Sequence, residues 1–371
     1  MRHPLLVPVL ALSLTAPVAS GCGSLPAGPA TSGGPPPGMT SMLFGSEAIA
    51  GLPPGAGVTA IASPTTGLAP DAKFAVWLDG VAAEALARGI SQATLDAALV
   101  GIAPIPRVIE LDRNQPESTT TFEEYSERIL SRERVAKGRD LLARHRGLLS
   151  EVGSAFGVQP RFIVALWGIE TNYGAFTGGF KVVPALATLA FDGRRSAYFR
   201  EELMNALAII DAGHIDPAQM FGSWAGAMGQ SQFMPSSFID YAVDYNGDGA
   251  KDIWNSLPDV FASAANYLAS VGWRDDIGWG REVRLPPGFD HGLTGLETRK
   301  DLADWQRLGV RLADGGDLPA ANSAVSIIQP DGPGDRAFAV TENFRATLRW
   351  NRSFYFATSV GQLSDRIAGP G

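Results

Sequence analysis

The sequence has very little cysteine and no concentration of basic residues. Its 371 residues include one cysteine, so an intramolecular disulfide is excluded. Asp and Glu (38) outnumber Lys and Arg (30), which gives a formal net charge of −8. Because nucleic-acid phosphates are bound by clusters of Lys and Arg, no nucleic-acid partner is expected. A hydrophobic content of 45% indicates a globular chain.

The N-terminus carries the only apolar stretch that is not part of a periodic pattern. Arg2 precedes apolar residues 5–18, which are followed by small residues 19–21 and then by Cys22. This order predicts a secretory signal peptide over residues 1–22. The stretch is too short to predict a transmembrane helix. A cysteine directly after the small residues resembles a bacterial lipoprotein cleavage site and predicts lipidation of Cys22. The alternative is an ordinary signal peptide with an incidental cysteine.

Residues 23–70 are predicted to be a flexible tether. They consist mostly of Gly, Pro, Ser, Ala and Thr and contain no Lys or Arg. Such a segment buries too little apolar surface to offset the entropy of ordering. A folded body is predicted over residues 71–367.

The folded body is predicted to be mainly α (α+β). Apolar residues at helical spacing predict a first helix from Phe74 to Leu86 and further helices over 92–99, 121–153, 159–170, 183–191, 195–212, 216–220, 235–243 and 258–271. Residues 104–116 are expected to be irregular. Short apolar segments between turns predict strands at 282–285, 323–328 and 338–340.

Glu170 is the candidate catalytic carboxyl. Ile163, Leu166 and Trp167 precede it on one face of the predicted helix, so Glu170 continues an apolar stripe. It also falls in the last helical turn, where the helix dipole disfavours negative charge. Both effects favour the protonated carboxyl that a general acid needs. The alternative is a glutamate that turns outward or pairs with an arginine where the helix ends.

Two segments resemble the lytic murein transglycosylase B family. They are Trp167-Gly168-Ile169-Glu170-Thr171-Asn172-Tyr173-Gly174 and the segment from Gly222 to Ser237, which reads GSWAGAMGQSQFMPSS. The resemblance extends from about Phe74 to Ile367. It implies a lysozyme-like core (156–279) flanked by a helical subdomain (71–155) and a β-rich subdomain (280–340), with 341–367 returning to the core.

The resemblance also implies a reaction. Enzymes of this family cleave the β-1,4 bond between N-acetylmuramic acid and N-acetylglucosamine in peptidoglycan and leave a 1,6-anhydromuramic acid end. One carboxyl suffices: it protonates the leaving oxygen and then removes the proton from the 6-hydroxyl. No cofactor is expected for catalysis. The expected surroundings are the periplasm, with an anchor in the outer membrane through Cys22, and we expect a monomer.

By the same resemblance, further residues are expected to bind substrate, and each also has a structural alternative. Ser223 and Gln232 would face the sugars, unless they only form a tightly packed turn with Gly226 and Gly229. The other candidates are polar or aromatic side chains that would line the groove or pack in the protein: Tyr125, Tyr198, Tyr267, Arg194, Arg195 and Asn351. Trp350 stands where Tyr is expected, which favours Asn351 as the sugar contact.

A calcium-binding loop is predicted after the helix at 235–243. Asp244, Asn246 and Asp248 supply oxygens at positions one, three and five, and Ala250 would supply a carbonyl at position seven. Position twelve is Asn255 and not the usual Glu, so a standard loop would lack its bidentate ligand. By resemblance, Asp259 could close a longer loop and stiffen the groove wall.

Two alternatives to the loop and two to the function stay open at this point. The loop residues could form an Asx-rich turn without metal, and Asp259 could only cap the next helix. A hydrolytic muramidase would need a second carboxylate, for which Asp192 and Glu201 are nearest in sequence. A murein-binding lipoprotein would need no catalytic carboxyl.

Overall fold

Helices make up most of the chain, which confirms the mainly α (α+β) prediction. The computed structural model describes residues 72–114, 120–320 and 324–369, and these belong to one compact unit. The signal peptide, the lipidation of Cys22 and the tether at 23–70 lie outside the described residues.

The described residues form fourteen α-helices. Their bounds are α1 Ala72–Ala87, α2 Gln92–Leu99, α3 Pro106–Arg113, α4 Phe122–Ile129, α5 Arg132–Arg144, α6 Arg146–Phe156, α7 Pro160–Thr171, α8 Val182–Asp192, α9 Ser196–Asp211, α10 Pro235–Tyr241, α11 Leu257–Ser270, α12 Leu302–Arg307, α13 Glu342–Trp350 and α14 Phe354–Ala368.

Local capping explains where the helices differ from the prediction. The single helix predicted over 121–153 is wrong: the segment contains α4, α5 and α6. Ser131 caps α5, since its side chain accepts a hydrogen bond from the backbone N–H of Arg134. The segment at 104–116 is not irregular, because Pro106 begins α3. Residues 216–219 form a turn and not a helix.

The strands form two sheets. A two-stranded sheet pairs β1 (Phe180–Lys181) with β2 (Phe221–Gly222). The five-stranded antiparallel sheet has the order β4-β6-β7-β3-β5. Its strands are β3 Gly280–Arg284, β4 Lys300–Asp301, β5 Arg311–Leu312, β6 Ala324–Ile328 and β7 Ala337–Val340. The β-rich segment predicted after residue 280 is therefore present.

The helices pack around two large hydrophobic clusters. One joins α4–α7 with α11, α13 and α14, and the other joins α1–α3 with α8–α10. A third, smaller cluster lies at the five-stranded sheet. The helices predicted as one subdomain at 71–155 thus contribute to two clusters, and the subdomain boundaries stay a prediction.

Within residues 72–114, 120–320 and 324–369, no single helix has both the length and the apolar character to cross a membrane. Helices α6 and α7 pass that test only as a pair, and they are bent by 108° relative to each other.

Candidate active site

Glu170 lies in the last turn of α7, a helix buried on all sides. Every residue from Phe162 to Thr171 is buried, because this stretch carries no charged side chain before Glu170. The Glu170 residue is 8% exposed. Burial raises the pKa of its carboxyl to about 8, and a hydrogen bond from Trp350 opposes part of that rise. The group is therefore a carboxylic acid at neutral pH, as a general acid requires.

Trp350, the last residue of α13, contacts this carboxyl directly. Its indole Nε1 donates a hydrogen bond to Glu170 Oε1 at 2.6 Å. The other oxygen, Oε2, is buried and has no hydrogen-bond partner among the described residues. A small cavity here has mainly apolar walls, formed by Ile163, Leu166, Trp167, Glu170, Gln230, Ser231, Val260, Phe261, Ala264 and Trp350.

The chain turns sharply directly after α7. Asn172 and Tyr173 have φ values of 49° and 61°, in the left-handed region that non-glycine residues rarely adopt. The turn is held by hydrogen bonds from their backbone N–H groups to the carbonyls of Gly168 and Trp167. A Cβ at Gly168 would lie 2.6 Å from the ring of Tyr173, so glycine is required for this ring to fold back on α7.

Gln230 connects α7 to the glycine-rich loop between β2 and α10. Its Oε1 accepts a hydrogen bond from the Trp167 indole at 2.8 Å, and its Nε2 donates to the carbonyl of Trp254 at 2.8 Å. Its own carbonyl accepts a hydrogen bond from Thr171 Oγ1 at 3.1 Å. The loop is thereby fixed to the helical turn that carries Glu170.

Ser223 and Gln232 belong to this same loop. Ser223 Oγ accepts backbone hydrogen bonds from Ala225 and Ala227, at 3.3 and 3.0 Å, so its hydroxyl proton is available to a ligand. Gln232 has a φ of 49°, and its Nε2 donates to two backbone carbonyls. Its Oε1 is then the side-chain atom suited to accept a hydrogen bond from a sugar.

The two loop glycines have positive φ and close neighbours. A Cβ at Gly226 would lie 2.5 Å from Leu186, and one at Gly229 would lie 2.6 Å from the carbonyl oxygen of Ile253. The close approach that these glycines permit is therefore to the protein's own chain.

The three candidate tyrosines lie in different environments. The Tyr267 ring centroid is 4.8 Å from that of Trp350, and its hydroxyl donates to the carbonyl of Arg349 at 2.7 Å. Tyr125 is buried, with its ring centroid 5.5 Å from that of Tyr355. Burial raises the pKa of the half-buried Tyr198, which also hydrogen-bonds the carboxyl of Glu202. Tyr267 is thus the one that the aromatic contacts link to Glu170.

The two candidate arginines share one buried carboxylate. Asp112, only 2% exposed, pairs with the guanidinium groups of both Arg194 and Arg195. The Arg195 side chain is 13% exposed, whereas that of Arg194 is 50% exposed. Arg195 therefore has a structural partner, and Arg194 is the one that a ligand reaches more readily.

Asn351 directly follows Trp350. It is buried, and its Oδ1 accepts a hydrogen bond from the backbone N–H of Ser353 at 3.0 Å. Its side-chain amide N–H groups are the donors that it can offer to a sugar.

The two carboxylates considered for a hydrolytic mechanism are engaged in ion pairs. Asp192 accepts a hydrogen bond from Arg113 at 2.6 Å. Glu201 is bound by Arg88 at 2.7 Å, and this guanidinium lowers the pKa of Glu201. Neither lines the cavity at Glu170.

The predicted calcium loop wraps around the carboxylate of Asp244. Backbone N–H groups of Gly247 and Gly249 donate to its two oxygens at 2.7 and 2.8 Å. Asp259 reaches the loop from α11, since its oxygens accept hydrogen bonds from the backbone N–H groups of Tyr245 and Asp252, both at 2.9 Å. Asp259 thus closes the loop and does not cap its own helix.

The side-chain oxygens of Asp248 and Asn246 accept hydrogen bonds from backbone N–H groups within the loop. Asp248 Oδ1 accepts a hydrogen bond from Ala250 N–H, and Asn246 Oδ1 accepts one from Asp248 N–H, at 2.9 and 3.1 Å. Asn255 instead contacts Asp252. Across residues 72–114, 120–320 and 324–369, no group of three His, Cys, Asp or Glu side chains is arranged to hold a metal ion.

Three features of the site were not predicted from the sequence. They are the presence of Gln230, the presence of Ser231 and the hydrogen bond from Trp350 to Glu170. Gln230 and Ser231 stand inside the quoted loop motif but carry no charge that marks them. Trp350 is 180 residues from Glu170 in the chain. Its position beside Asn351 was the only sequence signal for its place in the groove.

Comparisons with known proteins identify the family of the chain. The transglycosylase SLT domain family matches residues 73–365. Membrane-bound lytic murein transglycosylase B of Escherichia coli (strain K12) is 32% identical over 248 residues, which cover 66% of this chain and 66% of that protein.

Solved structures match as well. SltB3 of Pseudomonas aeruginosa, in complex with NAG-anhNAM-pentapeptide, is 45% identical and superimposes with a TM-score of 0.78 over 80% of each chain. Lytic transglycosylase Slt35 of Escherichia coli, in complex with calcium, is 28% identical with a TM-score of 0.67, over 80% of this chain and 92% of that chain. The chain therefore belongs to the transglycosylase SLT domain family, and it is a lytic transglycosylase of peptidoglycan.

Proposed function

We propose that Glu170 is the single acid and base of this lytic transglycosylase. As a carboxylic acid it protonates the oxygen that links N-acetylmuramic acid to N-acetylglucosamine. The resulting carboxylate then takes the proton of the muramic acid 6-hydroxyl while that oxygen bonds to the anomeric carbon. Glu170 therefore donates one proton and takes one back, so its carboxylic acid is regenerated. The product ends in 1,6-anhydromuramic acid.

The observation that carries this proposal is the burial of the Glu170 carboxyl in a cavity with mainly apolar walls. Burial holds its pKa at about 8, and no other carboxyl lines its cavity among the described residues. A hydrolytic enzyme would need a second carboxylate to activate water. Asp192 and Glu201 are already paired with arginines.

Substrate binding is proposed for the surrounding polar and aromatic groups. The Ser223 hydroxyl can donate a hydrogen bond and Gln232 Oε1 can accept one, and Asn351 adds an amide. Tyr125, Tyr198 and Tyr267 would offer ring faces to sugars. Arg194 would bind a carboxylate of the lactyl group or the peptide. Arg195 would order the Arg194 side chain through their shared partner Asp112. SltB3 binds a glycan that carries a pentapeptide, which supports a peptide-bearing substrate here.

A structural calcium ion is proposed for the loop that Asp259 closes. Asp244, Asn246, Asp248 and the carbonyl of Ala250 provide hard oxygen donors. Asp244 Oδ2 and Asp248 Oδ1 each accept one backbone hydrogen bond and keep a further lone pair for a cation. The calcium complex of Slt35 supports this assignment. The ion would stiffen the connection between α10 and α11, and α11 carries Tyr267.

Periplasmic location and anchoring at the outer membrane through a lipidated Cys22 are proposed as well. The signal-like order of residues 1–22 and the membrane-bound nature of the Escherichia coli relative support the anchor.

Digestion of purified murein tests the reaction. We expect mass spectrometry to find products that are one water lighter than reducing muropeptides, with no such products from Glu170→Gln. Reducing ends alone would contradict the transglycosylase step and favour a muramidase. Binding to murein without cleavage would favour the murein-binding lipoprotein.

A further inference from the structure

The hydrogen bond from Trp350 distinguishes the two oxygens of Glu170. An indole N–H can only donate a hydrogen bond. In a carboxylic acid, one oxygen carries the proton and the other is the better acceptor. Because Trp350 Nε1 lies 2.6 Å from Oε1, Oε1 is the acceptor and the acid proton belongs on Oε2.

The surroundings of Oε2 agree with this assignment. Oε2 is buried and has no hydrogen-bond partner within the described ranges. A bare carboxylate oxygen in mainly apolar surroundings would be costly, whereas a protonated oxygen costs much less. Glu170 is the only titratable side chain among the described cavity-lining residues. His145 packs next to that lining, with its ring centroid 6.4 Å from Trp167 and 5.9 Å from Phe261.

Trp350 is itself held in place. Its ring centroid lies 4.8 Å from that of Tyr267 and 5.2 Å from that of Phe233. The Tyr267 hydroxyl also binds the carbonyl of the preceding residue, Arg349, at 2.7 Å. The indole is therefore a fixed donor and not a mobile surface ring.

We propose that Trp350 is a positioning residue that holds Oε1 of Glu170 as an acceptor and thereby makes Oε2 the oxygen that delivers and recovers the catalytic proton. This inference rests on the proposed role of Glu170. Trp350 acts through Glu170 and takes no part in proton transfer itself.

The test compares Trp350→Phe with Trp350→Tyr, a pair that differs by one hydroxyl donor. The wild-type hydrogen bond lowers the pKa of Glu170, so its loss in Trp350→Phe moves the basic limb of kcat/KM about one pH unit upward. We expect kcat to fall roughly tenfold with little change in KM, because the carboxyl loses its orientation. Trp350→Tyr is expected to restore part of both effects.

Trp273→Phe is the matched control, since it removes an indole that donates to Gln159 at 2.9 Å, away from Glu170. Its basic limb should stay at the wild-type pH. An unfolded fraction that is constant with pH lowers the apparent kcat but does not move the limb, so the folded fraction of each variant is followed by circular dichroism across the same pH range.

Two outcomes would overturn the inference. One is an unchanged basic limb in Trp350→Phe, and the other is a rise in KM alone, which would make Trp350 only a sugar contact. Glu170→Gln is measured in parallel. Full activity of Glu170→Gln would refute the proposed function itself, whereas an inactive Glu170→Gln with an unshifted Trp350→Phe refutes only the role of Trp350.

Discussion

The side-chain oxygen of Gln230 accepts a hydrogen bond from the indole of Trp167, one helical turn before Glu170. The same side chain donates to the carbonyl of Trp254. Gln230 therefore connects α7, the glycine-rich loop and the segment before α11.

Gln230→Leu should lower both stability and activity. The substitution leaves the Trp167 indole and the Trp254 carbonyl without partners, at about 1–3 kcal/mol for each buried polar group. Thermal unfolding followed by circular dichroism measures the loss. Gln92→Leu, which removes an exposed hydrogen bond to Asp96, is the control and should change the melting temperature little. Equal melting temperatures for the two variants would contradict the role of Gln230.

The pH dependence of cleavage should follow the ionisation of Glu170. The first step needs the protonated carboxyl, so kcat/KM is expected to fall as pH rises through about 8. Initial rates of murein cleavage in a series of buffers give this profile. A basic limb near the ordinary glutamate pKa of 4.5 would show that burial does not protect the proton.

Glu170→Gln should abolish cleavage while stabilising the fold at high pH. Loss of the acid is expected to reduce kcat roughly 10²–10⁴-fold. Between pH 4.5 and about 8, the folded wild type keeps a proton that the unfolded chain releases. The wild-type free energy of unfolding therefore falls as pH rises through this window, and it loses no more above it.

The stability advantage of Glu170→Gln should consequently grow from pH 4.5 to about 8 and then level off. It should reach several kcal/mol, since each pKa unit corresponds to about 1.4 kcal/mol. Urea denaturation of both proteins across this range measures the difference. A constant difference would mean that Glu170 titrates alike in the folded and unfolded states.

Arg194 and Arg195 should differ sharply when each is replaced by methionine. Arg195→Met removes the more buried partner of Asp112 and should destabilise the protein by about 3–5 kcal/mol. Arg194→Met should change stability little and raise KM for peptide-bearing murein. Chemical denaturation and kinetics on murein with and without stem peptides separate the two. Equal loss of stability would assign both arginines to the fold.

Calcium should raise the melting temperature, and Asp248→Asn should reduce that gain. The asparagine keeps the oxygen that accepts the Ala250 N–H but removes the charge. Asp216→Asn is the matched control, because Asp216 makes the equivalent contact with Ala218 in a turn outside the loop. Scans with calcium and with a chelator provide the comparison. An identical calcium response in both variants would leave the loop a turn without metal.

The sequence alone determined the fold class and the family, and it indicated Glu170 as the candidate catalytic residue. The apolar period of residues 160–171 and the two quoted motifs are local, so they can be read without knowledge of the fold. The helix ends were predicted less accurately, because Ser131 caps α5 within a segment whose apolar pattern is that of one helix.

Only the tertiary structure decided what surrounds those residues. Trp350 and Glu170 are 180 residues apart, so no local pattern predicts their hydrogen bond. The burial that raises the pKa of Glu170 comes from packing against α11 and α13. Arg195 pairs with Asp112 because α3 packs against α8. Periodicity thus identifies which side chains face inward, whereas long-range packing sets the environment that gives each its chemistry.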